Sequence, residues 1–392
     1  MKTLAAICTT YYPLSHADVI VTRWLEPHPH DVAHGFVPQT TIGALYVAQR
    51  PGGAVPADFA IAPAERAAVY DPAYDIAQLI SERYGVPVYN SVRAALTLGG
   101  ETLAVDGVLL IGEHGDYPQN RFDQKLYPRK ELFDAIIAVF RESGRSVPLF
   151  CDKHLSWNGA WAREMVATAR ELGFGLMAGS SISLVGTTPD LGIAPGARLT
   201  ESLSLFYVHP EIYGFHALEL IESLIERRTG GSRAIASLEV WRGDEVWAAL
   251  EDGALPHDLF DAALAAARVH PGEMRQNCAG GLPPFAARLV YADGHCATHM
   301  MLDGHVDDFA VALRDADWGV LAARYGTSDD WRAEFAPHFA TLDGHVQQLM
   351  LSGRSPVPIA RTLFTTQIVA RWMQALAEPR GPILTSELAV DL

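Results

Sequence analysis

Apolar residues along this chain fall into short unbroken runs separated by stretches of helical periodicity. Residues 4–8, 42–47, 86–89 and 105–112 are such runs, and 73–84 and 131–141 between them repeat apolar positions at helical spacing. Continuous apolar runs of this length suit strands buried on both faces, so the alternation predicts a parallel sheet covered by helices. A fifth run, Val147-Pro-Leu-Phe-Cys151, ends abruptly in Asp152-Lys153-His154. A helix follows, with Asn158 as its cap, Trp161, Met165 and Val166 on its inner face and Leu172-Gly173 as its stop; residues 174–179 then predict another buried strand.

From Ser180 the pattern changes. A loop rich in Gly, Pro and Thr leads to a strand over 199–208 and a strongly apolar helix over 215–228. Alternating stretches at 234–242 and 286–291 follow, and 295–302 continues the second after an Asp293-Gly294 hairpin turn. The expected fold is therefore α/β: an N-terminal Rossmann-like parallel sheet, and a C-terminal α+β domain on a largely antiparallel sheet. The boundaries read as 1–155 for the first domain, 156–355 for the second, and 356–392 for a C-terminal segment packing back on the first. Leu-Asp-Gly-His occurs at 302–305 and 342–345 with unlike flanks, which marks coincidence and not a repeat.

Length supports two domains, since 392 residues exceed what one core usually fills. A hydrophobic share of 49% with 19% charged residues excludes a disordered or fibrous chain. The net charge of −16 excludes a broad nucleic-acid surface and leaves a small molecule as the expected partner. Four scattered cysteines, Cys8, Cys151, Cys278 and Cys296, read as reduced thiols in the cytoplasm. The apolar start is too short for a signal peptide, and no later segment is long enough for a bilayer span.

Ligands of open α/β sheets bind where strands end in loops, so the chemistry is sought there. Strand four runs into Gly112-Glu113-His114-Gly-Asp116-Tyr117-Pro118, and strand five into Asp152-Lys153-His154. Imidazoles and carboxylates concentrated on one edge are the ligand set of Zn²⁺, Mn²⁺ or Fe²⁺. His16 lies in the loop after the first strand and is a candidate substrate or metal contact, as Asp116 and Tyr117 are for substrate. The cluster His28-Pro-His-Asp-Val-Ala-His34 reads as an exposed loop, and His295 and His299 as residues of one sheet face.

Several motifs carry a resemblance. Tyr84-Gly-Val-Pro-Val-Tyr89, Val105-Asp-Gly-Val-Leu-Leu-Ile111, Cys151-Asp-Lys-His154, Gly214-Phe-His-Ala-Leu-Glu219 and the segment from Pro358 to Thr366 are together similar to the glucose-fructose oxidoreductase / inositol dehydrogenase / MocA-like family of two-domain Rossmann proteins. The resemblance implies that Lys153 is the lysine of the family's Glu-Lys-Pro motif, that His216 is the catalytic histidine and that Glu219 is the acidic residue after it. It places His216 opposite both strand ends, and it implies a homo-oligomer joined through the second domain's sheet. It also implies NAD(P).

The departures fall at the nucleotide. The turn after the first strand, Cys8-Thr-Thr-Tyr11-Tyr12-Pro-Leu-Ser-His16, contains no glycine, and the second strand ends in Tyr46-Val-Ala-Gln-Arg50, without an acidic residue. The leading expectation is therefore a metal-dependent hydrolase or lyase on this scaffold, with Glu113, His114, Asp152, His154 and His216 as ligands. Lys153, His216 and His154 are the expected catalytic groups, and NAD(P) ranks below the metal. An NAD(P)-dependent oxidoreductase of a sugar, polyol or related compound is the alternative, and a non-catalytic binding subunit the third.

Overall fold

A computed structural model describes residues 1–66, 70–231, 233–326, 331–378 and 383–384. The strands are β1 (Lys2–Cys8), β2 (Thr40–Val47), β3 (Val88–Tyr89), β4 (Gly107–Ile111), β5 (Leu149–Asp152), β6 (Leu176–Gly179), β7 (Thr187–Thr188), β8 (Leu199–Phe206), β9 (Ile235–Arg242), β10 (Phe285–Tyr291), β11 (Cys296–Met301), β12 (Ala310–Asp315), β13 (Gly319–Tyr325) and β14 (Ile383–Leu384). The first six form one sheet in the order β3-β2-β1-β4-β5-β6, every pair parallel. The unbroken apolar runs have the expected cause, since all five residues of β4 and all four of β5 are buried.

Helices cover both faces of this sheet. Arg129–Ser143 and Gly159–Glu171 bury Phe133, Ile136, Met165 and Val166 against one face. The Asn158 side chain accepts from the amides of Ala160 and Trp161, which fixes the start of the second helix as expected. The other face is covered by Asp18–Thr22, Ala77–Tyr84 and a helix from late in the chain, His338–Ser352. Lys2 Nζ ties that late helix to the start of β1 by donating to the carbonyls of Met350 and Leu351. Its close approach also explains a glycine: a Cβ on Gly175, just before β6, would lie 2.3 Å from the Gly353 carbonyl oxygen.

The remaining strands form an eight-stranded sheet, β14-β9-β10-β11-β8-β12-β13-β7, antiparallel throughout except for the parallel β11–β8 pair. Its hairpin at Asp293-Gly294 forms as the sequence predicts, with Gly294 at φ 88°. One face packs on Ile212–Ile225 and Ile359–Ala377. The other is covered by Asp244–Glu251, His257–Ala266 and Met274–Ala279, whose Val246, Leu259 and Phe260 meet Leu203, Leu205 and Met300. The pattern did not predict these three helices, and with them both faces of this sheet are covered. The two Leu-Asp-Gly-His segments differ in structure, the first a turn and the second inside a helix. No helix among the described residues is long and apolar enough to cross a membrane.

Candidate functional site

The loops after β1, β4 and β5 converge on the start of the Ile212–Ile225 helix, so the two domains share one polar centre. At the end of β5, Lys153 adopts φ 65°, and after β4 His114 adopts φ 69°. Left-handed backbone at residues with a Cβ costs on the order of 1–3 kcal/mol each, and such strain gathers where function requires it. It turns Lys153 toward the second domain, where its Nζ lies 2.5 Å from His216 Nε2. The other imidazole nitrogen, Nδ1, is 2.6 Å from Ser180 Oγ. Donation by the lysine into Nε2 requires the Nδ1–H tautomer of His216, which then donates to Ser180. Burial pushes the pKa values of both Lys153 and His216 down.

A second pair stands beside it. His16 Nδ1 is 2.6 Å from Asp152 Oδ2, and the His16 ring lies edge-on to His114 at 5.1 Å. Burial raises the Asp152 carboxyl to about 6, against the pull of Lys153 and Arg129, and lowers His114 to about 3.

The metal centre expected from Glu113, His114, Asp152, His154 and His216 does not assemble. Glu113 is ion-paired with buried Arg129, whose other terminal nitrogen lies 3.3 Å from His154 Nδ1. Burial alone would raise the Glu113 carboxyl, but Lys153 and Arg129 together hold it below the ordinary range. Asp152 is taken by His16, and His216 by Lys153 and Ser180. Among the described residues no group of three His, Cys, Asp or Glu could hold a metal ion. The physical reason is charge: Arg129 and Lys153 supply the counter-cations that a divalent ion would otherwise bring.

The other expected residues lie apart from this centre. Glu219 accepts from Thr365 Oγ1 at 2.6 Å and braces the helix that carries His216 against Ile359–Ala377. Asp116 is exposed, and its backbone is held at both ends by the Gln49 side chain, at 2.8 and 2.9 Å. The Tyr117 ring packs on Tyr127. His28 caps the short Pro29–Ala33 helix and His30 stacks on His34, while His295 and His299 bond to Ser202 and Ser204 within the second sheet.

A crevice of about 730 Å³ opens along the ends of β2, β1 and β4. Gln49 and Arg50, Thr10 and Tyr12, and His114 line it on the first-domain side, and Glu211 lines it from the second domain. Thr10 Oγ1, His114 Nδ1 and Glu211 Oε1 are buried and have no hydrogen-bond partner. Buried polar atoms are usually paired, so these three are open to hydrogen bonds from a ligand. Lys153 and His216 are buried, 6% and 7% exposed, and neither lines the crevice. Sequence reasoning missed Arg129, Ser180, Lys125 and Glu211. A charge at a helix start or in a loop carries no mark that separates it from a solvated one.

The turn after β1 is closed on itself. Tyr11 points into the core, its hydroxyl 2.8 Å from Thr22 Oγ1, while Tyr12 joins the wall with its hydroxyl 2.9 Å from that of Tyr70. The Tyr12 amide donates to Ser15 Oγ and the Leu14 amide to Asp18 Oδ2. The anion bound by this turn is thus the carboxylate of Asp18.

No protein-family model matches the chain, and no curated protein matches it. Solved structures do match over its full length. An oxidoreductase from Agrobacterium radiobacter, in complex with NAD+, L-tartaric acid and magnesium, is 13% identical with a TM-score of 0.56, covering 99% of each chain. A myo-inositol dehydrogenase from Corynebacterium glutamicum is 10% identical with a TM-score of 0.54, covering 98% of each. A biliverdin reductase from Synechocystis, in complex with biliverdin and NADP+, is 14% identical with a TM-score of 0.52, covering 95% of this chain and 98% of its own. At such identities the likeness shows the fold, and at that level the resemblance carried by the sequence motifs holds. The expectation of a metal-dependent hydrolase or lyase, with NAD(P) ranked below a metal, is corrected: the solved structures that share this fold are of dehydrogenases and reductases, and Glu113, Asp152 and His216 are engaged by Arg129, His16 and Lys153.

Proposed function

We propose that the protein is an NAD(P)-dependent oxidoreductase that interconverts a hydroxyl and a carbonyl group on a small polar molecule. The observation that carries this reading is the Lys153–His216 pair, closed across the two domains at the strand-end edge of a β3-β2-β1-β4-β5-β6 sheet, the edge that also carries the crevice. That edge, at the β1/β4 reversal of strand order, is where dinucleotides bind in such sheets.

The crevice fits a nucleotide in position, in size and in its unpaired atoms. Its volume falls within the roughly 300–1,000 Å³ of small-molecule and cofactor sites. Thr10 and His114 offer hydrogen bonds, Tyr12 and Tyr70 an aromatic wall, and Arg50 and Lys125 positive charge. The turn after β1 departs from the glycine-rich form, because Ser15 and Asp18 take its amides, so the counter-charge for a phosphate falls to Arg50 and Lys125. Arg50 is oriented by Asp75, 2.6 Å from its Nε.

When bound, the nucleotide supplies hydride transfer; the chain supplies the proton. Lys153, held between Glu113, Asp152 and His216 with its pKa pushed down by burial, can lose a proton more readily than a surface lysine. In its neutral form Nζ can accept the proton of a substrate hydroxyl, and in its charged form it can return that proton to a carbonyl oxygen. His216 Nε2 holds Nζ in place, and the Ser180 hydroxyl pairs with the other imidazole nitrogen.

Isothermal titration of the purified protein with NAD+, NADH, NADP+ and NADPH tests the reading, together with turnover of a polyol and sugar panel followed at the reduced nicotinamide absorbance. Tight binding of one nucleotide is expected. Failure of all four to bind would overturn it.

A further inference from the structure

Glu211 immediately precedes the Ile212–Ile225 helix, on the side of the crevice built by the second domain, and is 2% exposed. Its Oε2 accepts from the Lys125 amide at 2.8 Å, its own amide donates to His209 Nδ1 at 3.1 Å, and its Oε1 has no partner. The charged and titratable groups around it are committed elsewhere. Arg129 is paired with Glu113, and Asp123 lies 3.0 Å from His209 Nε2. Lys125 meets Glu211 through its backbone, and Tyr127 completes this part of the wall. Among the described residues no ion pair includes Glu211.

A carboxyl group with no cation and one empty oxygen is poorly placed as an anion. Burial raises it to about 8, against the Lys125 amide and Arg129, which favours the protonated form near neutral pH. A neutral acid in this wall can donate to an oxygen of an anionic ligand, whereas a carboxylate would repel it. The unpaired Thr10 and His114 stand on the wall contributed by the first domain.

We propose that Glu211 is a binding residue through which the second domain grips the crevice nucleotide, donating a hydrogen bond to one of its oxygens and, once ionised, releasing it. This rests on the nucleotide reading of the crevice. The crevice then discriminates by protonation state: below the titration of Glu211 it accepts a phosphate-bearing ligand, and above it the added negative charge opposes one.

The test is titration of wild type, Glu211→Gln and Glu211→Ala with the nucleotide that wild type binds, at pH 6.5 and 9.0, with thermal melts of the unliganded proteins. If only the protonated form binds, wild-type affinity falls about tenfold between these pH values, as expected one unit above the pKa. Glu211→Gln keeps a donor and binds alike at both, and Glu211→Ala is weak at both. In the melts, wild type loses stability relative to Glu211→Gln as pH rises through 8, because a raised acid favours the folded state only while protonated. A Glu211→Gln variant with the wild-type pH dependence, or a Glu211→Ala variant that binds like wild type, overturns the inference and leaves the nucleotide reading intact. Parallel melts of wild type and Glu211→Gln across the range would also overturn it, with no ligand involved. Absence of any nucleotide binding by wild type overturns both.

Discussion

Lys153 Nζ and His216 Nε2 lie 2.5 Å apart although Lys153 directly follows β5 of the six-stranded sheet and His216 sits on a helix that packs against the eight-stranded one. Their contact couples the seating of the two domains to the protonation of one lysine. Neither group is replaceable by bulk: a neutral isostere at either end leaves the other unpaired in a buried setting.

Replacing Lys153 by Met therefore separates chemistry from binding. Turnover is expected to fall by roughly 10²–10⁴-fold, the range of a positioned acid–base group. Nucleotide affinity stays within a few fold, because Lys153 does not line the crevice. Steady-state kinetics and titration on the same preparation check this. Retention of turnover within tenfold of wild type would remove Lys153 from the chemistry.

Asp152 gives a prediction in pH. Its carboxyl rises from 3.8 to about 6 on burial, so the folded state takes up its proton more readily than the unfolded chain. The associated stability is full below about pH 4 and is lost as pH rises to 6. Two units correspond to about 3 kcal/mol. The lowered histidines, among them His114, act in the opposite direction, so only a difference is diagnostic. Denaturant midpoints of wild type minus Asp152→Asn should decline across pH 4–6, and a constant difference would show that Asp152 is not the titrating group.

Much of the scaffold was legible because a parallel strand buried on both faces has to be apolar throughout. β1, β2, β4, β5 and β6 were found on that ground, and the site was sought at their ends on the same ground. What sits beside what at those ends was not legible. Glu113, His114, Asp152 and His154 read as groups at the strand ends, with His216 facing them by resemblance, but spacing cannot reveal that a cation from the start of the next helix, Arg129, takes Glu113. Nor can it show that a left-handed backbone turns Lys153 to His216. The helices over 244–279 went unread because their apolar positions serve a sheet face whose partner lies far off in sequence.

Gly175 supplies a test of the packing between the late helix and the first sheet. A methyl group there would meet the Gly353 carbonyl oxygen at 2.3 Å and Leu349 Cδ1 at 2.9 Å, and the backbone oxygen cannot rotate away. Gly175→Ala is expected to cost about 1–3 kcal/mol, the usual range for overpacking. Urea denaturation measures it. Gly353→Ala tests a different term, since its φ of 76° favours glycine while nothing lies within 4 Å of the added carbon; its cost is expected to be smaller, about 1 kcal/mol. A reversed order would show that the contact yields more easily than the backbone.

Arg129 is the cation around which the polar centre forms as an ion-pair network. Its guanidinium is 1% exposed, bound to Glu113 and beside His154, with the Tyr127 ring 5.1 Å away. Arg129→Met leaves the Glu113 carboxylate buried beside Lys153 alone, and removing one partner of a buried pair costs about 3–5 kcal/mol. Adding Glu113→Gln removes the stranded charge, so the double variant should recover a good part of that loss, with a coupling energy of about 1–3 kcal/mol in the cycle. The alternative makes the opposite forecast. If Glu113 and the histidines were ligands held apart by Arg129, the single variant would gain divalent metal, and its melting temperature would rise on addition of Zn²⁺ or Mn²⁺. Denaturation of Arg129→Met, Glu113→Gln and the double variant with and without metal separates the two, because a charge network responds to the second substitution and a ligand set responds to the ion.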